Sequence, residues 1–92
     1  MDLTLDHRVS VSRDAIFRDI NGEAVVLDLE AGIYYGLDEV GTCAWRALED
    51  GGPLRRAFDV VLAEFDVDAA TAERDLLQLA QALIDKRLWT LG

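Results

Sequence analysis

Glu23-Ala-Val-Val-Leu-Asp-Leu-Glu-Ala-Gly-Ile-Tyr-Tyr-Gly-Leu-Asp-Glu-Val-Gly41, running on through Thr42 and Cys43 to Ala44-Trp45, decides how this chain folds. From Glu23 to Leu29 the residues alternate, with Val25, Leu27 and Leu29 on one face and Ala24, Val26 and Asp28 on the other, the two-residue period of a strand. Glu30-Ala31-Gly32 then reads as a turn, with Gly32 suited to the left-handed position of a short hairpin loop. Ile33 to Leu37 is a short aromatic strand, and Asp38 follows as an N-cap for a helix reaching about Glu49. The stretch is a β-hairpin whose second strand runs straight into a helix, and it contains no obvious catalytic group.

Outward from this hairpin the remaining elements follow from spacing. Asn21-Gly22 suits a type I′ turn, in which both residues take positive φ, so a strand precedes it. Val9, Val11 and Ala15-Ile16-Phe17 read as that one strand, interrupted near Ser12-Arg13-Asp14, with residues 1–8 as a polar, frayed lead-in. The first helix presents Val40, Ala44, Ala47 and Leu48 on its apolar face, with Trp45 at the flank. Gly51-Gly52-Pro53 ends it and opens a second helix, with Pro53 in the first turn, where its missing N–H costs nothing. Leu54, Ala57, Phe58, Val61, Leu62 and Phe65 follow at helical spacing. Asp68 is positioned to cap a third helix from about Ala69 to Lys86, and Leu88-Trp89-Thr90-Leu91 packs back on the core or forms a short extended cap. The expectation is one α+β domain over 1–92, winged-helix-like, with a three-stranded antiparallel sheet followed by three α-helices and the third strand at the sheet edge.

Composition excludes several functions. The 92 residues are 51% hydrophobic, enough for one core, and 9 Lys+Arg against 18 Asp+Glu give a net charge of -9, which repels polyanions. Lys and Arg are scattered, Arg55-Arg56 being one basic doublet, and a change at Arg56 reads as remote surface chemistry. A winged-helix DNA-binding regulator is the rival reading from another class, but the third helix opens Ala-Ala-Thr-Ala-Glu-Arg-Asp, with one arginine between two acids and none of the amide groups of a recognition helix. One cysteine and one histidine exclude an internal disulfide and a Cys/His metal cage, and His7 lies too far from Cys43 in sequence to argue a nucleophile–base pair. No phosphate-loop glycine pattern occurs, so no cofactor is expected. The N-terminus lacks a signal-peptide pattern and no apolar run approaches the ~20 residues of a membrane span, which makes a cytoplasmic location the expectation.

What remains is the aromatic strand. Ile33, Tyr35 and Leu37 share one face and Tyr34 and Gly36 the other, and an edge strand of this kind can capture an extended peptide by backbone pairing. The third helix supplies a wall through Leu76, Leu79 and Leu83, with Asp75 bordering Leu79. The same open edge could pair with a second copy, so monomer and dimer both stay open.

With these residues in place the chain resembles the PqqD-like family, the precursor-peptide recognition domains of ribosomal peptide biosynthesis. The likeness rests on Glu23, Leu27-Asp28, Gly32, Tyr34-Tyr35, Leu37-Asp38-Glu39, Gly41 and Trp45, then Phe65-Asp66-Val67-Asp68, the leucine-rich helix and Leu88-Trp89. It implies a winged-helix-like, non-catalytic domain in which a leader peptide pairs with Ile33–Leu37 and lies against the helix near Leu76, Leu79 and Leu83. One branch of the family delivers its precursor to a radical SAM enzyme for pyrroloquinoline quinone, and another serves a leader peptidase and cyclase for lasso peptides. The Asp38-Glu39-Val40-Gly41-Thr42 junction and the hairpin before it resemble the lasso branch more. Pro53, where relatives often have a hydroxyl helix cap, and Asp38, where some have Asn, depart from the pattern without touching the edge strand.

Overall fold

A computed structural model describes residues 3–92. Asn21 and Gly22 take φ of 58° and 88°, and the Gly22 N–H donates to the Asp19 carboxylate at 2.8 Å, closing the turn between β2 (Ala15–Ile20) and β3 (Glu23–Asp28). Gly32 takes φ of 70°, and the Asp28 carboxylate accepts the Glu30 and Ala31 N–H groups, turning the chain into β4 (Ile33–Leu37). These strands form an antiparallel sheet in the order β2-β3-β4, with Phe17 opposite Val26 and Val26 opposite Tyr35. Ala24 and Val26 face the core, and Leu29 lies exposed beyond the end of β3.

The expected first strand is two strands in two sheets. β1 (Arg8–Val11) belongs to a second sheet, between β5 (Gly52–Pro53) and β6 (Trp89–Leu91). The turn at Ser12, whose hydroxyl and carbonyl accept the Asp14 and Ala15 N–H groups, redirects the chain between the sheets. Nor is the lead-in frayed where it is described: Leu5 is buried in the core. Met1 and Asp2, which that expectation also covered, lie outside the described residues.

The lead-in has a specific task. α2 (Leu54–Glu64) is preceded by Pro53 as N-cap, not begun by it, and Pro53 offers no side-chain cap. The carbonyls of His7 and Leu5 accept the Leu54 and Arg55 N–H groups at 2.9 Å each, pairing amides that a helix start leaves without partners. Arg56 is likewise not idle surface, since its guanidinium donates to the Gly51 carbonyl at 2.9 Å and helps close the end of α1 (Glu39–Ala47).

α1 is capped by Asp38, which accepts the Gly41 N–H at 2.7 Å, and α3 (Ala69–Asp85) by Asp68. The side-chain and backbone hydrogen bonds of Thr71 hold the Asp68 carboxyl below the usual carboxylate range. Trp45 does not flank the core as its helical position suggests; it is 1% exposed. Its ring stacks on Phe17 of one sheet, with centroids 5.8 Å apart, and meets Trp89 of the other at 5.6 Å.

Thr42 is a buried polar side chain in this core. Its hydroxyl accepts the Ala24 N–H at 2.9 Å, tying α1 to β3. Thr42→Val keeps the shape but strands that N–H, and is expected to lower stability by about 1–3 kcal/mol. Thr42→Ser is expected to retain most of the stability when both variants are unfolded by urea titration, and equal losses in both would refute the hydrogen-bond account.

Candidate functional site

β4 has a neighbour on one side only, so its other edge is unpaired among the described residues. Leu37 points into the core, whereas Ile33 and Tyr34 are 47% and 70% exposed. Gly36 has open space where a Cβ would sit, which leaves the backbone accessible on that face.

α3 packs on α2, α1 and β6. A cavity of about 470 Å³ lies beside the Leu37 end of β4, within the usual range for ligand sites. Gly36 and Leu37 line it from the strand, and Asp75, Leu76 and Leu79 from the helix. These five were expected at the site. Leu83 does not join them: it is 3% exposed in the main core, because its side of α3 closes on the protein interior. Tyr35 sits toward the other end, where the Lys86 ammonium lies 5.3 Å from its ring centroid and bridges strand and helix.

The cavity also has lining that sequence reasoning assigned to the core or passed over. Val40, Gly41 and Ala44 of α1 contribute to it, together with Val61 of α2. Gly41 carried the signal, for a Cβ there would meet the Asp38 carboxylate at 3.2 Å and Leu37 at 3.4 Å. A larger residue would crowd the junction of strand and helix beside the cavity.

A second cavity of about 460 Å³ opens across α1, with Asp19, Cys43, Arg46 and Glu64 among its lining. Four of its polar groups are occupied in pairs: Arg46 pairs with Asp19, and the Cys43 thiol donates to Glu64 at 3.3 Å. Burial, followed by the hydrogen bond to Glu64 and its charge, pushes the thiol up to about 11. Cys43 is therefore protonated at neutral pH and a poor nucleophile. Among the described residues no group of three His, Cys, Asp or Glu side chains could hold a metal ion, and no helix is long and apolar enough to cross a membrane.

An unpaired aromatic strand beside an apolar groove defines a peptide-receiving architecture. The family model for coenzyme PQQ synthesis protein D (PqqD) matches residues 23–88, and the chain belongs to this family. Among solved structures it is similar to TbiB1 in complex with the TbiA(beta) leader peptide, at 39% sequence identity and a TM-score of 0.80, over 87% of this chain and 93% of that one. No curated protein matches.

The state of Cys43 can be read by alkylation. With a thiol at about 11, iodoacetamide is expected to label the folded protein at pH 8 slowly, with the rate climbing as pH approaches that value. Relative to an ordinary cysteine the deficit is about 100-fold, and urea should abolish it. Rapid labelling of the folded protein at neutral pH would contradict the assigned environment.

Proposed function

We propose that this protein binds the leader segment of a ribosomally made precursor peptide, adding it as a strand to β4 and holding its apolar anchors against α3. The observation that carries this reading is the unpaired edge of β4 beside an apolar groove, in a chain 39% identical to a protein whose structure holds a leader peptide. Backbone pairing contributes only about 0.5–1.5 kcal/mol net per hydrogen bond, so selectivity rests on side chains in the groove. Leu76 and Leu79 supply the apolar wall, and Ile33 to Leu37 the pairing edge.

The protein acts without catalysis, by raising the leader's local concentration at a processing enzyme and setting which bond that enzyme meets. The likeness to TbiB1 favours the lasso-peptide branch, with a leader peptidase and a cyclase as partners, over delivery to a radical SAM enzyme for pyrroloquinoline quinone. The outer face of β2-β3-β4 exposes Ile16, Ile20 and Tyr34, apolar surface that stays available to such an enzyme while a leader occupies the edge. DNA binding is disfavoured by the net charge of -9.

Fluorescence-polarisation titration with labelled leaders from lasso and quinone precursors tests the reading. Saturable binding of a lasso leader is expected. Leu79→Glu is expected to weaken it about tenfold or more, the loss of one buried leucine contact, while Asp59→Asn on the exposed face of α2 leaves it unchanged. Binding of neither leader class by the folded protein would overturn the proposal.

A further inference from the structure

Charge is distributed unevenly along the groove. At the Leu37 end the carboxylates of Asp38 and Asp75 line the cavity, and the shallow hollow that continues it past Asp38 and Val40 adds Glu23 and Glu39. No lysine or arginine lines either space. Two features offset this charge in part. Arg74 approaches Asp75 at 3.5 Å, but both side chains are more than half exposed, so the pair is well solvated and weak. The N-terminus of α1, which Asp38 caps, contributes about half a positive charge.

The Tyr35 end differs in kind. A cavity of about 310 Å³ there holds Lys86 and Arg87 among Asp14, Asp28, Glu30 and Asp85. Asp28 already accepts two backbone N–H groups and Asp85 the Gln81 amide. Lys86 leans over the Tyr35 ring. One end of the groove therefore offers anions alone, and the other a mixture that includes two cations.

The geometry points to charge selection: resting on the reading that this groove receives a leader strand, the preferred strand places a basic side chain beside Asp75 and Asp38, on the Leu37 side of its apolar anchor. Backbone pairing cannot set this register by itself. A slip of two residues returns every side chain to the same face, and pairing hydrogen bonds are indifferent to sequence. An apolar anchor in the Leu76–Leu79 hollow restrains the slip, and a charge of one sign at a fixed offset adds a second restraint. A strand laid in backwards would carry its basic group to the mixed end, where Lys86 and Arg87 offset part of the pull of the carboxylates. The overall charge of -9 speeds the encounter with any basic peptide, but only local carboxylates distinguish one peptide position from another.

The test is a lysine scan and a glutamate scan of the TbiA(beta) leader peptide, titrated by fluorescence polarisation against the unaltered protein and against Asp75→Lys. Asp75 is an exposed residue of α3, and circular dichroism melting checks that its reversal leaves the fold intact. At one peptide position, or two close together, lysine is expected to bind about two- to fivefold tighter than glutamate. That preference should shrink with added salt and invert in Asp75→Lys. Equal affinities at every position, a lysine preference spread evenly along the peptide, or a local preference that survives Asp75→Lys would each overturn charge selection while leader binding stands. Failure of the unmodified peptide to bind would instead overturn the leader reading beneath it.

Discussion

The contact of Trp45 with Phe17 and Trp89 is the interaction on which the architecture depends. The two sheets are separate hydrogen-bonded units, and this aromatic column spans them, from Phe17 on β2 through the helix residue Trp45 to Trp89 on β6. Each indole buries about 150–250 Å² of largely apolar surface, so few other contacts in a domain of this size match it. Trp45 also fixes the roll of α1. With Trp45 and Leu48 turned inward, Val40 and Ala44 come to line the groove and Thr42 reaches the Ala24 N–H. The same rotation thus closes the core and shapes the candidate site.

An open edge strand invites self-association, and most sheets cover or charge it. β4 carries no charged residue of its own between Ile33 and Leu37. The molecule as a whole opposes such pairing, because a net charge of -9 makes two copies repel as they approach. That field is attractive to a basic peptide. One property therefore opposes self-pairing at the edge and attracts a peptide of opposite sign. The family match over residues 23–88 spans β3, β4 and the three helices and includes every residue that lines the main groove, whereas β1 and β6 lie outside it.

Much of the fold was legible in the sequence because it rests on local chemistry. Asn21-Gly22 and Gly32 take the positive φ their turns require, and Asp38 and Asp68 cap the helices they precede. These signals act over a few residues, where composition nearly dictates conformation. The aromatic strand at a sheet edge followed in the same way, since β4 is joined to β3 by a tight hairpin and to α1 without a loop. Five of the expected site residues surround the main cavity for that reason, with the helix spacing of Asp75, Leu76 and Leu79 placing them on its far wall.

The rest lay in pairings that no window of sequence contains. Val11 pairs with Trp89 and Val9 with Gly52, partners that alternation along either segment cannot name, so Val9 and Phe17 looked like one strand. The backbone acceptors of the α2 amides, Leu5 and His7, come from a stretch with no strand pattern at all. Leu83 and Leu79 belong to the same helical stripe, yet one faces the core and the other the groove. By itself the sequence determined the turns at Asn21-Gly22 and Gly32, the Asp38 and Asp68 caps, the helical spans and the aromatic strand, because hydrogen bonds and periodicity are local. Only the tertiary structure decided which strands share a sheet, which way α1 and α3 are rolled, and where a groove stays open, because those follow from closing one core over segments distant in the chain.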